Sequence, residues 1–415
     1  MSEPVIVFAG AVYPGQFGLL CDHLRKSGLA ETFFFTTPGH RQRNLARGEH
    51  VLAFQPDGPI VGPQSYYYSA KVERSARISR GLLAALRDFE RERRIDVVVA
   101  HSLWGAPQFL YDEIDAAIVS YIEFPSYRAH GWDPAYPPDQ AQRIADRNME
   151  MLHYHQVLKS ELTIVPSFYA KSMFPAELRD RIEVQFEGFD VEEPQAPQEP
   201  RNAGIPLTIG FAARDLSSAK GIDIYIRLVD RLLAEGVDAR FVAMGDAEAT
   251  TYGYEQQWVQ RNYGGAVKSF RDHLLRLHPR AAAAIEFTGK LPYAEFAERV
   301  ARVDLFLYPL RFGVANWGLM EILARGGCVV APRGGYAPEL IEHDVNGWLA
   351  PADDDDAWIA AIRDLLADPR RRRRYSDAAR RTGHNFHVSA TAPRYMRLFR
   401  RAVELRDRRL AGDAS

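Results

Sequence analysis

The stretch Gly318 to Gly335, which reads G-L-M-E-I-L-A-R-G-G-C-V-V-A-P-R-G-G, predicts the unit around which the fold is organised. A short helix is expected from Gly318 to Gly326, followed by a buried strand over Cys328 to Ala331 and a tight glycine turn. Helix, strand and loop in this order are typical of a parallel α/β sheet. Ligands bind to such sheets at the carboxyl ends of the strands.

Glu321 is a carboxylate on this apolar helix, next to Leu319, Ile322 and Leu323. A carboxylate in such surroundings needs a partner, because burying an unpaired charge is costly. One interpretation is a salt bridge or a charge near the helix N-terminus. The other is a carboxylate that accepts hydrogen bonds from the ribose of a nucleotide sugar.

Length and composition limit the classes of protein that need to be considered. A chain of 415 residues is expected to form two domains, and 47% hydrophobic and 26% charged residues are typical of a globular protein. The net charge of −2 gives no basic field for nucleic acid. Cys21 and Cys328 lie in apolar elements, which predicts buried thiols and a reducing cytoplasm. We expect neither a signal peptide nor a membrane-spanning segment.

Buried β runs alternate with helical patterns in both halves of the chain, which predicts two Rossmann-like parallel sheets covered by helices on both faces. The polar, proline-rich stretch 188–205 is the predicted linker. The predicted division is 1–187 for an N-terminal domain, 206–388 for a C-terminal domain, and 389–415 for a helix that packs back on the first domain. The predicted strands are Val5–Ala9, Thr32–Thr37, Asp96–Ala100, Ala117–Ile122, Leu162–Val165, Ile182–Gln185, Leu207–Ala212, Arg240–Met244, Ile285–Thr288, Leu305–Tyr308, Cys328–Ala331 and Gly347–Leu349.

Arg214 and Lys220 flank the loop that follows the strand Leu207–Ala212, in G-F-A-A-R-D-L-S-S-A-K-G. Two cations on one loop before a helix N-terminus can bind a diphosphate, since Arg offers a planar fork and Lys a point charge. They would stabilise the charge of a diphosphate leaving group without a metal. The alternative is an exposed loop with ordinary charges.

His101 ends a buried strand in V-V-V-A-H-S-L-W-G, and Glu123 has a similar place in Y-I-E-F-P-S-Y. Each is either a structural residue or a part of the site. The spacing of His, Cys, Asp and Glu predicts no metal site. An aromatic set either lines an acceptor pocket or belongs to the core. It comprises Tyr121, Phe124, Tyr127, Trp132 and Tyr136.

Taken together, these stretches resemble the family 4 glycosyltransferases of the GT-B fold, in which two Rossmann-like domains face each other across a cleft. The C-terminal half carries the Arg…Lys-Gly loop, the F-x-G-x-L turn at Phe287 to Leu291, and the helix and glycine loop from Gly318 to Leu349. The N-terminal half looks like a bacterial subgroup with a P-G-Q-F loop, here Pro14 to Phe17, and H-x-x-W-G at His101 to Gly105.

The resemblance implies a retaining, metal-independent transfer of a sugar from a UDP- or GDP-linked donor. Arg214, Lys220 and His101 would be the catalytic residues, and Glu123 and Tyr127 would contact the acceptor. The acceptor stays open between a lipid-linked glycan, a saccharide, a small natural product and a thiol, and the enzyme would be cytoplasmic, with a homodimer as an open alternative. Donor binding would fall to Gly15, Gln16, Leu291, Asn316, Trp317, Gly318, Leu319 and Glu321.

Gly313 departs from the family pattern. The family has two glutamates in E-x7-E, and Glu321 fits the second, but Gly313 stands at the position of the first. The usual carboxylate for the donor sugar is therefore replaced, with Asn316, Trp317 or backbone amides as substitutes. Two alternatives to a transferase stay open: a sugar-nucleotide epimerase or phosphorylase of the same fold, and a non-catalytic protein that binds sugar nucleotides, which Gly313 favours.

Overall fold

A computed structural model of the chain describes residues 3–62, 66–191, 206–248 and 253–413. The chain divides into two compact units. The first comprises residues 1–130, 139–190 and 386–415, and the second comprises residues 131–138 and 191–385. Residues 192–205, most of the predicted linker, lie outside the described residues.

The first unit is built on a parallel sheet, which has seven strands within the described residues. The strands are β1 (Val5–Ala9), β2 (Glu31–Thr36), β3 (Val51–Ala53), β4 (Val97–His101), β5 (Ala117–Tyr121), β6 (Leu162–Val165) and β7 (Ile182–Val184). Their order in the sheet is β3-β2-β1-β4-β5-β6-β7. The edge strand β3 was not predicted; of its three residues only Val51 is buried.

Helices cover this sheet as the alternating pattern predicts. They are α1 (Gly18–Lys26), α2 (Pro38–Arg43), α3 (Ala70–Glu90), α4 (Tyr127–His130), α5 (Gln140–Lys159), α6 (Phe168–Ser172) and α7 (Ala176–Arg179). Strands β1 and β4 are apolar on both faces, and Ile6, Phe8 and Val98 are fully buried. Continuous apolar strands of this kind are expected where helices lie on both sides of a parallel sheet.

The second unit has its own parallel sheet, in which the described residues form six strands. The strands are β8 (Leu207–Asp215), β9 (Ala239–Asp246), β10 (Ile285–Gly289), β11 (Leu305–Leu307), β12 (Val329–Pro332) and β13 (Trp348–Ala350), in the order β10-β9-β8-β11-β12-β13. Its helices are α8 (Ile222–Ala234), α9 (Glu255–Tyr263), α10 (Phe270–Leu277), α11 (Pro279–Ala284), α12 (Tyr293–Ala301), α13 (Trp317–Ala324), α14 (Asp355–Ala367) and α15 (Pro369–His384).

The C-terminal helix α16 (Val388–Asp413) belongs to the first unit, as predicted. Tyr395 and Phe399 are its buried anchors. The Tyr395 hydroxyl donates a hydrogen bond to the carbonyl of Gln185 at 3.1 Å, and the Phe399 ring packs edge-on against Phe8 with centroids 6.2 Å apart. The last helix of the chain thus completes the core of the first unit.

Residues 131–138 belong to the second unit, whereas the sequence-based division assigned them to the N-terminal domain. Tyr136 packs edge-on against Trp258 and Phe270, with ring centroids 5.1 and 4.9 Å apart. Tyr136 is therefore packed against the hydrophobic core of the second unit. Contacts between segments so distant in sequence leave no local pattern, which is why the sequence did not reveal them.

Candidate functional site

The loop with the two predicted cations, residues 214–220, follows β8 at the carboxyl edge of the second sheet. Arg214 lies near the end of β8, and Lys220 ends a single 3-10 turn over Ser218–Lys220. Gly221 then has φ +82°, and a Cβ at this position would lie 2.0 Å from the carbonyl oxygen of Pro309. The turn into α8 therefore requires glycine both for its backbone conformation and for its close contact with Pro309.

Hydrogen bonds from two other segments fix the backbone of this loop. The Ser218 amide donates to Glu255 Oε1 at 2.8 Å, and Arg311 Nη1 donates to the Ser218 carbonyl at 3.0 Å. The backbone amides of Arg311 and Phe312 both donate to the Ala219 carbonyl at 3.1 Å. These four hydrogen bonds therefore support the backbone of the loop from α9 and from residues 311–312. The sequence analysis missed Glu255 and Arg311, because their roles depend on contacts distant in sequence.

Arg311 is in turn held by carboxylates. Its guanidinium donates to both carboxylate oxygens of Asp223 at 2.6 Å, and it lies 3.4 Å from Asp133. Asp133 belongs to the 131–138 segment, so this segment contributes to the support of the loop. A bidentate pair of this kind fixes the orientation of an arginine more firmly than a single contact.

The interior beside the loop is polar and acidic. Asp215 is fully buried, with one carboxylate oxygen 3.8 Å from Arg214 Nε, and Glu255 is also buried. Burial raises the pKa of Glu255 to about 7, and the nearby Asp215 charge acts in the same direction. Within the described residues, both Asp215 oxygens and the Ser217 hydroxyl have no hydrogen-bond partner. Buried groups in this condition are rare in folded proteins, so each calls for an explanation.

Asn316 is the N-cap of α13. Its Oδ1 accepts hydrogen bonds from the amides of Gly318 at 3.0 Å and Leu319 at 3.4 Å, and from the Tyr308 hydroxyl. The predicted donor-binding amides at this helix N-terminus are therefore capped by a side chain of the same chain. A phosphate oxygen that bound to these amides would have to replace Asn316 Oδ1.

Glu321 forms the salt bridge that was one of its two interpretations. Arg325, one turn further along α13, has Nη2 at 3.1 Å from Glu321 Oε1, and both side chains are largely buried. Arg325 also donates to the Tyr293 hydroxyl at 3.3 Å. This pairing orients the carboxylate, and it is compatible with a second hydrogen bond to a ribose because a carboxylate can accept several.

Three further positions from the sequence analysis lie on the same unit. Leu291 is in the turn between β10 and α12, so its backbone is at the carboxyl edge of the sheet. At Gly313, an added Cβ would lie 3.0 Å from a methyl carbon of Leu310. A glutamate could occupy this position only if Leu310 moved, so the local packing is adapted to glycine. Trp317, the first residue of α13, is 40% exposed.

His101 ends β4 in the first unit and is buried. Its Nδ1 accepts hydrogen bonds from the amides of Leu103 at 3.2 Å and Trp104 at 3.4 Å, so the proton lies on Nε2. Within the described residues Nε2 has no partner. Burial lowers the pKa of His101, so the ring is neutral and offers one N–H donor. This geometry suits hydrogen bonding to a ligand hydroxyl.

A cavity beside His101 brings together the predicted residues of the N-terminal loop. Gly15 and Gln16 line it together with Trp104. Gly15 has φ +50°, and an added Cβ would lie 2.8 Å from the Val12 carbonyl, so the loop depends on this glycine. The Gln16 amide donates to Glu123 Oε1 at 2.9 Å, which connects the loop to the residue after β5.

Tyr127, the other predicted acceptor residue, lies next to this region in α4. Its ring packs against Phe124 at 5.3 Å between centroids, and its amide donates to Asp146 at 3.0 Å. Tyr121 is different, because it is fully buried and donates to Glu187 at 2.6 Å. The predicted aromatic set therefore divides: Tyr121 belongs to the core, whereas Phe124 and Tyr127 follow the end of β5.

Two protein-family models match successive parts of the chain. The model described as glycosyl transferase family 4 group matches residues 30–193, and the model described as glycosyl transferases group 1 matches residues 195–382. The first match covers β2 to β7, and the second covers the whole sheet of the second unit.

Relatives of established description match over shorter stretches. A GDP-mannose-dependent alpha-(1-6)-phosphatidylinositol monomannoside mannosyltransferase from Mycolicibacterium smegmatis is 37% identical over 22% of this chain and 25% of its own length. A GDP-mannose-dependent alpha-mannosyltransferase from Corynebacterium glutamicum is 27% identical over 41% of this chain and 33% of its own length. The matches therefore span a quarter to a third of the length of these relatives.

Solved structures match over nearly the whole chain. Sucrose-phosphate synthase from Thermosynechococcus elongatus has a TM-score of 0.70 at 16% identity, over 96% of this chain and 98% of the other. HepE from Anabaena, solved with UDP and glucose, has a TM-score of 0.64 at 14% identity, over 96% and 99%. At these identities the likeness shows the fold, which is GT-B, as the sequence predicts.

Within the described part of the chain, each helix is either too short or too polar to cross a bilayer. The family assignment depends on the two models, which succeed each other along residues 30–382, and on the fold that the solved structures share. The chain belongs to the group 1 glycosyl transferases, with an N-terminal half of the glycosyl transferase family 4 group.

Proposed function

We propose that this protein is a retaining glycosyltransferase that moves a sugar from a nucleoside diphosphate sugar, UDP- or GDP-linked, to a hydroxyl or thiol acceptor. The observation that carries the proposal is the fixed conformation of the 214–220 loop, with two cations at the carboxyl edge of a Rossmann-like sheet. The GDP-mannose dependence of two relatives and the UDP complex of HepE support this choice of donors.

In this proposal Arg214 and Lys220 neutralise the diphosphate as it leaves, which is the charge that develops in the transition state. Because the loop is already held by Glu255 and Arg311, little reorganisation is needed when the donor binds. Glu321 accepts hydrogen bonds from the ribose, and the backbone near Leu291 borders the nucleobase. In this proposal the two cations neutralise the diphosphate charge that a metal neutralises in other transferases, so no metal is required.

In the first unit, His101 Nε2–H donates to a hydroxyl of the donor sugar, and Gly15 and Gln16 border the phosphate. Glu123 and Tyr127 contact the acceptor. The departing phosphate accepts the proton of the acceptor hydroxyl, and the proposal includes no protein base for that step. Cys21 and Cys328 are buried free thiols, which supports a reducing, cytoplasmic location.

The direct test combines nucleotide binding with donor turnover. A thermal-shift series with UDP, GDP and ADP should show stabilisation by UDP or GDP, since a ligand that binds the folded state raises its stability by mass action. Arg214→Ala and Lys220→Ala should each lower donor turnover about 10- to 100-fold, which corresponds to a charge-assisted hydrogen bond of about 1.5–3 kcal/mol. Arg240→Ala, at an exposed position of β9, is the matched control.

The outcomes separate this proposal from its alternatives. Wild-type turnover in both loop variants would refute the diphosphate assignment. Gly313 favours a non-catalytic sugar-nucleotide binding protein as a second candidate, and consumption of donor by the wild type would exclude that candidate. Release of an epimerised sugar without any acceptor product would identify an epimerase instead.

A further inference from the structure

Two buried carboxylates, which the proposed transfer does not use, lie at the 214–220 loop. Asp215 is part of the loop and is fully buried, and Glu255, which contacts the loop from α9, is 1% exposed. Both oxygens of Asp215 have no hydrogen-bond partner in the described part of the chain, and Arg214 Nε lies 3.8 Å from one of them. Neighbouring carboxylates in a dry interior oppose each other's ionisation. The arrangement therefore disfavours a state in which both are charged.

The side chains that face Glu255 from three other segments are mostly acidic. The ring of Tyr136 lies among them: burial raises its pKa, and so do three carboxylates, whereas one guanidinium lowers it. These four groups are Asp223, Asp133, Glu255 and Arg311. The Arg311 guanidinium already pairs with both oxygens of Asp223 and lies 3.4 Å from Asp133. Its charge is therefore largely balanced before Glu255 is considered.

Strand β9 and helix α10 each contribute one further titratable group to this region. Asp246 on β9 is the register partner of Asp215, and one of its oxygens accepts from the Glu248 amide at 2.9 Å. His273 on α10 lies 6.3 Å from Tyr136 between ring centroids, and burial lowers its pKa, so it is neutral above pH 7. The Arg214 side chain is 63% exposed, so solvent screens its charge.

The backbone that Glu255 holds is the one that carries the two proposed diphosphate-binding cations. Its Oε1 accepts the hydrogen bond of the Ser218 amide at 2.8 Å, and Ser218 stands between Arg214 and Lys220 in the chain. A neutral carboxyl keeps this bond, because its carbonyl oxygen is still an acceptor. A charged carboxylate also keeps it, but adds a negative charge next to the place where a diphosphate would bind. The diphosphate therefore favours the protonated form.

The carboxyl of Glu255 changes its charge in the neutral range of pH. Burial raises its pKa to about 7, the charge of Asp215 acts in the same direction, and hydrogen bonds from its own amide and from Ser218 oppose the change. A ligand that prefers the protonated form raises this pKa further when it binds, and it takes up a proton in doing so. By the same linkage, the affinity for that ligand falls as the pH rises.

We propose that Glu255 is a positioning residue that couples the binding of the sugar-nucleotide donor to the uptake of one proton. The proton comes from solvent and adds to a carboxylate oxygen of Glu255, and no other bond is made or broken. The protonated carboxyl supports the loop through Ser218 without repelling the diphosphate. This inference rests on the proposed function, because its ligand is the donor of the same transfer.

The test is calorimetric titration of the full chain with GDP-mannose and with UDP-glucose. Neither diphosphate diester titrates between pH 6.5 and 8.5, so a proton that is taken up in this range belongs to the protein. At pH 7.5, repeated titrations in buffers of different ionisation enthalpy should show the uptake of about half a proton per bound donor. The Kd for the donor should rise at least fivefold between pH 6.5 and 8.5, as linkage gives for a pKa that binding raises by about one unit.

Glu255→Gln is the central variant, because its amide oxygen can accept the same bond from Ser218 but cannot titrate. We expect it to bind donor without proton uptake, with one Kd from pH 6.5 to 8.5 that is close to the wild-type value at pH 6.5. Glu298→Gln, at an exposed position of α12, is the matched control and should behave as the wild type. Asp215→Asn removes the neighbouring charge, so the weakening of binding should begin at lower pH.

A purely structural role of Glu255 gives a different result. Glu255→Gln would then change the Kd by the same factor at every pH and leave the proton uptake as in the wild type, and this result overturns the proposal. Two further outcomes overturn it as well. One is a wild-type Kd that is constant from pH 6.5 to 8.5. The other is a binding enthalpy that does not depend on the buffer.

The two proposals can fail separately. If the wild type binds neither nucleotides nor sugar nucleotides at any pH, the transferase proposal fails and the inference fails with it. If the wild type binds and consumes donor but takes up no proton, the transferase proposal stands and only the role of Glu255 is overturned.

Discussion

Replacement of Glu255 by Gln should stabilise the protein at alkaline pH, although Glu255 holds the loop with the two cations. The residue is 1% exposed at the start of α9, and its Oε1 accepts a hydrogen bond from the Ser218 amide. The amide oxygen of Gln can accept the same bond. What Gln removes is the charge that a buried carboxylate must carry once it loses its proton.

The magnitude follows from the titration of this carboxyl. Burial raises its pKa from the ordinary value of 4.5 to about 7, with a contribution from Asp215, while hydrogen bonds from its own amide and from Ser218 oppose the change. The folded state therefore holds the proton more tightly than the unfolded state, and stability falls as pH rises from about 4.5 to about 7. At about 1.36 kcal/mol per pH unit, this amounts to about 3 kcal/mol.

The assay is urea-induced unfolding of the wild type, Glu255→Gln and Glu298→Gln at several pH values from 4.5 to 8.5. Glu298, exposed on α12, is the control. We expect Glu255→Gln to gain about 3 kcal/mol relative to the wild type across this range, with most of the gain between pH 5 and 7. If the free energy of unfolding changes with pH in the same way for Glu255→Gln and the wild type, the carboxyl is not buried in its charged form and the expected gain is refuted.

Three further substitutions test the geometry of the site. Gly221→Ala should displace the loop, because its Cβ would lie 2.0 Å from the Pro309 carbonyl oxygen at φ +82°. We expect the free energy of unfolding in denaturant to fall by about 1–3 kcal/mol and UDP or GDP binding to weaken. Unchanged values would show that the contact relaxes easily. Arg311→Met leaves the Asp223 carboxylate without its bidentate partner, which should lower the free energy of unfolding by about 2 kcal/mol and raise the KM for donor. An unchanged KM would mean that the loop holds its conformation without Arg311. His101→Ala removes the Nε2–H donor and should lower the rate of sugar transfer at least tenfold, while a thermal-shift assay should still show nucleotide binding. Full transfer activity would show that His101 is not part of the site.

Local patterns were sufficient to predict most of the fold. Continuous apolar runs separated by helical periodicity predicted most of the strands of both sheets, since strands buried on both faces must be apolar along their length. Two features were not predicted from local patterns. The edge strand β3, with one buried residue, was missed, and residues 131–138 join the second unit through the ring of Tyr136, whose partners are distant in sequence.

The sequence by itself determined the class of fold, the family and the loop with Arg214 and Lys220, because each of these is written in consecutive residues. Only the tertiary structure decided what supports that loop and which partner Glu321 has. The physical reason is that charge and hydrogen bonding act through space. A buried carboxylate or ammonium acquires its properties from neighbours that the chain brings together only when it folds.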